Sequence, residues 1–125
     1  MRAILDTSVL IAETGPSEGD VAISAVSLGE LHFGLLAART RDERARRAAR
    51  LAAVEAAFVP LPVDARVARE WGALAALVAE RGAQPRRRQA DLLIAATAKV
   101  HRAVLLTHNV ADFAQVTHVV DVVAP

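Results

Sequence analysis

Short apolar runs alternate with longer segments of helical character along this chain of 125 residues. Five of the runs predict β-strands, at residues 3–5, 21–23, 58–63, 104–106 and 118–123. The run at 58–63 contains Pro60 and Pro62. Because proline cannot donate to a ladder of hydrogen bonds, we expect this strand to be short and to lie at a sheet edge.

The segments between the predicted strands have the composition and spacing of helices. The predicted helices run from Ser24 or Ser27 through Ala38, over 41–57, from Asp64 to Gly82, and over 91–100. The last is apolar nearly all round, which is typical of a buried helix. Strands that alternate with helices predict one α/β domain over residues 1–125, a three-layer sandwich with a mainly parallel central sheet.

Composition removes several classes of function. The chain has no cysteine, which excludes disulfide scaffolds, thiolate zinc sites and a cysteine nucleophile. Aromatic residues are only 3%, too few for a protein that binds single strands by stacking bases. The 15 basic and 14 acidic residues nearly balance, so any nucleic-acid surface must be a local patch. No apolar run approaches the ~18 residues of a membrane helix, and no signal peptide is apparent, so we expect a cytoplasmic protein.

Four acidic residues stand out because each is embedded in apolar sequence. They are Asp6, Glu30, Asp91 and Asp112. Each also has an ordinary interpretation. Asp6 could cap the helix that follows the first strand, and Glu30 fits a capping box with Ser27. Asp91 could begin its helix, although Gln89 and Ala90 suggest that the helix has already started, and Asp112 could be a simple turn residue.

Taken together, the four acids predict a metal site. A first strand, an early helix, a late buried helix and a late post-strand loop can converge at the carboxyl edge of a parallel sheet. Two carboxylates ~4 Å apart repel by roughly 4 kcal/mol at an effective dielectric near 20, so such a cluster must protonate or hold a cation. With oxygen ligands only, Mg²⁺ or Mn²⁺ is the natural occupant, and phosphodiester hydrolysis is the matching chemistry.

Four segments resemble the PIN domain superfamily, and within it the VapC-type ribonuclease toxins of toxin–antitoxin pairs. They are residues 4–10, 23–31, 90–98 and 106–113. The resemblance spans nearly the whole chain, and it implies a PIN-like fold and an Mg²⁺- or Mn²⁺-dependent endoribonuclease. It also implies a cognate antitoxin as partner, RNA as substrate and a homodimer. The lack of a long apolar run separately predicts no membrane association.

The resemblance also assigns roles to residues of this chain. Asp6 and Asp91 would be the principal metal ligands, Asp112 would complete the shell, and Glu30 would orient a metal-bound water. Cleavage would leave a 5′-phosphate and a 3′-hydroxyl. The positions that match supporting residues of the site are Thr7, Ser8, Thr107 and Asn109.

Arg86, Arg87 and Arg88 stand just before Asp91, where a short glycine-containing approach is common in this family. Arginine binds phosphate through its bidentate fork, so these residues are candidates for RNA binding, the alternative being a solvated face. A second function also stays open at this point. The chain could be a non-catalytic RNA-binding or adaptor module that keeps the same fold, in which case RNA would stay intact in the presence of metal.

Overall fold

The computed structural model describes residues 2–16 and 18–125. The strands are β1 (Ala3–Leu5), β2 (Val21–Ser24), β3 (Pro60–Leu61), β4 (Val104–Leu106) and β5 (Val122–Val123). The α-helices are α1 (Thr7–Ala12), α2 (Ala25–Leu36), α3 (Arg41–Ala57), α4 (Ala65–Glu80) and α5 (Gln89–Val100). Two 3₁₀ helices, Pro85–Arg88 and Val110–Phe113, precede and follow the α5–β4 unit. No helix in the described part of the chain is long and apolar enough to cross a membrane.

The strands form one sheet in the order β3-β2-β1-β4-β5, and every pairing is parallel. Leu5 on the central strand is in register with Ile23 on one side and Leu106 on the other. Strands β2 and β3 lie on one side of β1, and β4 and β5 lie on the other side. The strand order therefore reverses between β1 and β4. That reversal point, at the carboxyl ends of the strands, is where open parallel sheets bind ligands.

The two faces of the sheet are covered by different helices. Along β1, Ile4 packs into an apolar cluster with residues of α4 and α5, whereas Ala3 and Leu5 pack into a second cluster with residues of α1, α2 and α3. The alternation follows from the pleat, which sends successive side chains to opposite faces. These layers confirm the predicted three-layer α/β sandwich with a parallel central sheet.

Helix α5 lies in the interior, as its apolar sequence predicts. Ile94, Ala95 and Ala98 are fully buried, and the helix packs along α4. Small alanine side chains allow the two helices to approach closely. The helix begins at Gln89, two residues earlier than the predicted start at 91, and Asp91 therefore lies within its first turn.

The last strand is shorter than the sequence suggests. The predicted strand at 118–123 is wrong over most of its length, because only Val122 and Val123 pair with β4. The preceding residues form turns in which the amide of Val120 donates to the carbonyl of Val116 at 2.9 Å, and both side chains are buried. Apolar residues spaced four apart thus enter the core from a helical turn and not from a strand.

Strand β3 is an edge strand, as its prolines predict, but it comprises two residues instead of the six at 58–63. Phe58 does not belong to the strand, because it is the C-cap of α3 and its amide donates to the carbonyl of Val54 at 2.9 Å. Helix α4 begins as expected, with the Asp64 carboxylate accepting a hydrogen bond from the amide of Val67 at 3.0 Å.

The loop after α1 depends on a glycine for close packing. A Cβ at Gly15 would lie 2.5 Å from Cγ1 of Val9 and 3.2 Å from Cδ1 of Leu5, both of which are buried side chains. We predict that Gly15→Ala lowers the free energy of unfolding by about 1–3 kcal/mol, the usual cost of overpacking. Gly72→Ala is the matched control in α4, because its Cβ would meet nothing within 4 Å.

Urea unfolding of the two variants checks this prediction. Gly72→Ala should raise stability by about 0.5–1 kcal/mol through helix propensity. If Gly15→Ala were equally stabilising, the close approach of this loop to α1 would be wrong.

Candidate active site

Asp6 immediately follows β1 at the point where the strand order reverses. Only 4% of the residue is exposed. It occupies the N-cap position of α1, but its side chain accepts no capping hydrogen bond. Its Oδ2 instead accepts from the hydroxyls of Ser8 and Thr107, each at 2.8 Å. The simple capping role is therefore wrong for this carboxylate, which is held by side chains from two separate segments.

The two hydroxyls are themselves fixed by backbone amides. The amide of His108 donates to Ser8 Oγ at 3.1 Å, and that of Asn109 donates to Thr107 Oγ1 at 3.0 Å. These amides fill acceptor positions on the hydroxyls, so both hydroxyl protons are available to Asp6. Asn109 takes part through its backbone, and its side chain has no hydrogen bond to a described residue. Among the described residues, none donates to Oδ1 of Asp6, which stays available to a ligand.

Glu30 reaches the same region from α2. The capping-box interpretation is wrong, because α2 begins at Ala25 and its cap is Ser24, whose Oγ accepts from the amide of Val26 at 3.0 Å. Thr7 donates to Oε1 of Glu30 at 2.7 Å, since a carboxylate can only accept. The same Thr7 oxygen lies 2.9 Å from Oγ of buried Ser27, one turn before Glu30.

Asp91 and Asp112 approach each other from the first turn of α5 and the 3₁₀ helix Val110–Phe113. Arg88 lies between them, with Nη1 at 3.6 Å from Oδ2 of Asp91 and 3.1 Å from Oδ1 of Asp112. The N-terminal end of α5 also favours negative charge at Asp91. Asp112 is thus an ion-paired residue at the edge of the cluster, and not an isolated turn aspartate.

The electrostatics of Asp91 tie the four acids together. Its pKa is raised from the ordinary 3.8 to about 6, chiefly by partial burial and then by the charges of Asp6, Asp112 and Glu30. The Arg88 guanidinium acts in the opposite direction and lowers the pKa. Each of the three other carboxylates is therefore close enough to raise the pKa of Asp91. Together the four acids create an excess of negative charge.

The donor set suits a hard cation. Every candidate ligand is a carboxylate or hydroxyl oxygen, which Mg²⁺ and Mn²⁺ prefer. Within residues 2–16 and 18–125, no group of three or more acidic or histidine side chains is arranged closely enough to hold a metal ion by itself. Mg²⁺ does not require such a group, because it keeps several waters and is commonly bound through one or two carboxylates. The residues present therefore fit a hydrated divalent cation.

The arginine candidates separate in the structure. Arg88 points into the acidic cluster, whereas Arg86 and Arg87 are exposed and form no ion pair with an acidic residue in the described part of the chain. The sequence alone missed two contributions, the pairing of Arg88 with two acids and the buried contact of Ser27 with Thr7. The spacing of three residues between Arg88 and Asp91 is about one helical turn and could have indicated their contact. It gives no signal for the contact of Arg88 with Asp112 or of Ser27 with Thr7.

The raised pKa of Asp91 predicts an unusual dependence of stability on pH. A carboxyl whose folded pKa lies above its unfolded pKa destabilises the folded state as pH rises through the interval from about 4 to about 6. From 3.8 to about 6 the upper limit is ~3 kcal/mol, and partial solvation reduces the expected value to about 1–2 kcal/mol. Asp91→Asn should therefore be more stable than the parent chain by that amount at pH 7.5 in EDTA.

Urea unfolding at pH 7.5 and pH 4 checks this expectation. The gain from Asp91→Asn should shrink toward zero at the lower pH, where the parent carboxyl is largely protonated in the folded state and the penalty for its charge is gone. A variant that is less stable than the parent chain at pH 7.5 would mean that the charge of Asp91 is compensated in the folded protein.

Comparisons with known proteins show the family to which this chain belongs. The sequence model of the PIN domain family matches residues 3–119. The chain is 42% identical over 118 residues to ribonuclease VapC5 of Mycobacterium tuberculosis, covering 89% of this chain and 84% of the relative. It is 44% identical over 105 residues to ribonuclease VapC8 of the same organism, covering 78% and 90%.

A solved structure shows the same architecture. It is VapBC-5, a member of the VapBC family of toxin–antitoxin systems from Mycobacterium tuberculosis, with a TM-score of 0.82 and 38% identity over 99% of this chain and 98% of that chain. Both sequence and fold therefore match over nearly the full length of the chain. This chain belongs to the PIN domain family and, within it, to the VapC proteins.

Proposed function

We propose that this protein is a metal-dependent endoribonuclease that acts as the toxin of a toxin–antitoxin pair. The observation that carries the chemistry is the coupling of Asp91 to three further carboxylates at the carboxyl edge of the sheet. The choice of RNA is supported by the relatives VapC5 and VapC8, both of which are named ribonucleases. The toxin role is supported by the similarity to a structure from the VapBC toxin–antitoxin family.

Asp6, Asp91 and Asp112 would hold the cation, which when bound supplies an activated water and neutralises charge that develops on the phosphodiester. Asp6 is the most rigid of the three, because two hydroxyls fix its Oδ2. Asp91 must be ionised to bind a cation, so we expect the apparent affinity for metal to fall as pH drops below about 6.

Glu30 would orient the attacking water. Its Oε1 is fixed by the hydroxyl of Thr7, which leaves Oε2 available to accept a proton or a hydrogen bond from that water. Attack on the phosphorus by this water would form a new P–O bond while the bond to the 3′ oxygen breaks. Glu30 would accept a proton from the water and the 3′ oxygen would take one from solvent, which leaves a 5′-phosphate and a 3′-hydroxyl. Thr7 is accordingly a positioning residue, in the same sense as Ser8 and Thr107 beside Asp6.

Two protein partners belong to the proposal, a cognate antitoxin and a second copy of the chain. Phe33 and Leu36 on α2 are about three-quarters exposed, at 74% and 75%. Large apolar side chains exposed next to each other on one helix are typical of surfaces that another protein covers.

The proposal predicts that RNA cleavage requires both a divalent cation and Asp91. Purified protein is incubated with mixed tRNA and rRNA in Mg²⁺ or Mn²⁺, with an EDTA arm and with Asp91→Asn. We expect discrete fragments from the parent chain and a loss of about 100-fold or more in the variant, equivalent to ~2.7 kcal/mol of barrier. Asp42→Asn, which removes an exposed carboxylate from the first turn of α3, is the matched control and should cleave normally.

Each result has a clear meaning when urea unfolding shows that the variants are folded. Cleavage by Asp91→Asn at the parent rate would contradict the assignment of the site. Intact RNA in every arm, together with measurable RNA binding, would support a non-catalytic RNA-binding module in its place.

RNA binding supplies a separate prediction for the exposed arginines. Changing Arg86 and Arg87 together to alanine should weaken binding and lower the slope of log affinity against log salt, by ~0.7 for each phosphate that is no longer bound. Binding is measured in the Asp91→Asn background so that the RNA survives. The control changes Arg41 and Arg46 of α3, which are exposed and carry the same total charge. Equal slopes for the two pairs would assign Arg86 and Arg87 to a solvated face.

A further inference from the structure

Arg88 differs from the two arginines before it in the partners that it contacts. One nitrogen of its guanidinium, Nη1, lies 3.1 Å from Oδ1 of Asp112 and 3.6 Å from Oδ2 of Asp91. The side chain is 48% exposed, so it enters the acidic cluster from solvent and is not enclosed by the core. A single positive charge therefore bridges two carboxylates that come from different segments of the chain.

The same two carboxylates are the metal ligands in the function proposed above, on which this inference rests. We propose that Arg88 is an internal counter-cation that competes with the divalent cation for Asp91 and Asp112. A guanidinium and a divalent cation cannot both contact the same carboxylate oxygens at close range without strong repulsion between them. Occupation of the site by the metal therefore displaces Arg88 from its two partners.

The position of Arg88 makes this displacement inexpensive. Arg88 ends the 3₁₀ helix Pro85–Arg88, and its half-exposed side chain can turn into solvent without opening the core. Exposed ion pairs contribute little to stability, so the contacts of Arg88 are not required for folding. Once released, its guanidinium would be free to bind an RNA phosphate. Metal binding would thus prepare the substrate contact.

The test measures Mn²⁺ affinity directly, by calorimetric titration of the purified chain in the absence of RNA. Arg88→Gln removes the counter-cation, and we expect it to bind Mn²⁺ about fivefold more tightly than the parent chain. Arg87→Gln is the matched control, because it removes a neighbouring positive charge that has no acidic partner among the described residues. It should change the affinity by less than about twofold. Arg88→Lys, which keeps the charge but not the fork, should lie closer to the parent chain than Arg88→Gln does.

Thermal unfolding with and without Mn²⁺ supplies a second readout and verifies folding. We expect Mn²⁺ to raise the melting temperature more in Arg88→Gln than in the parent chain. Equal affinities in Arg88→Gln and Arg87→Gln, or weaker binding in Arg88→Gln, would overturn competition while leaving the proposed metal site intact. Failure of both the parent chain and Arg88→Gln to bind Mn²⁺ would contradict the metal site itself, and the inference with it.

Discussion

Repulsion among four carboxylates at one edge of the sheet is the constraint around which this molecule is arranged. The edge exists because β1, β2 and β4 run parallel and end in register. The fold then brings Asp6, Glu30, Asp91 and Asp112 there from four different segments. Their mutual repulsion is visible in the raised pKa of Asp91, to which burial makes the largest contribution. A cluster of this kind requires compensating groups, and the structure supplies them in three forms.

Hydroxyl donors are the first form. Ser8 and Thr107 neutralise part of the charge on Asp6, and Thr7 does the same for Glu30, without adding a competing positive charge. The N-terminal end of α5 is the second, because its dipole favours an anion at Asp91. Arg88 is the third, and it alone carries a full charge. The first two compensations could persist if a cation bound, whereas the third occupies two of the carboxylates that are proposed to hold it.

The burial of charge at this edge illustrates the usual tension between stability and activity. Asp91 would stabilise the folded chain more as a neutral side chain than as a carboxylate at neutral pH, which is the opposite of an ordinary surface aspartate. Such a cost is expected where a residue serves chemistry. The supporting hydroxyls limit the cost at Asp6, where the carboxylate is almost fully buried.

Much of the fold was predictable because local pattern and tertiary packing agree. The apolar run at 3–5, the mostly apolar helix over 91–100 and the helix start at Asp64 were each predicted, and the structure confirms them. Prediction was incomplete or wrong where two local patterns compete. Ser24 and Ser27 both fit a helix start, and the structure selects Ser24, whose Oγ accepts a hydrogen bond from the amide of Val26. At 118–123, Val120 enters the core from a turn, which an apolar run cannot distinguish from a strand.

The site residues also divide into those that the sequence predicts and those that it does not. Four acids in apolar sequence could be found from the chain alone, and their convergence follows from a parallel sheet. The position of Arg88 could not be found, because it depends on how the 3₁₀ helix Pro85–Arg88 packs beside Val110–Phe113. A contact between Arg88 and Asp112, which are far apart along the chain, leaves no signal in local spacing.

Whether four carboxylates from separate segments form one cation site is tested most directly by a titration with substoichiometric Mn²⁺, followed through paramagnetic broadening of the assigned backbone amide signals. We expect the signals of Asp6, Glu30, Asp91 and Asp112 to broaden first and together. Broadening that begins at another set of acids, or that spreads evenly over the chain, would contradict a shared site.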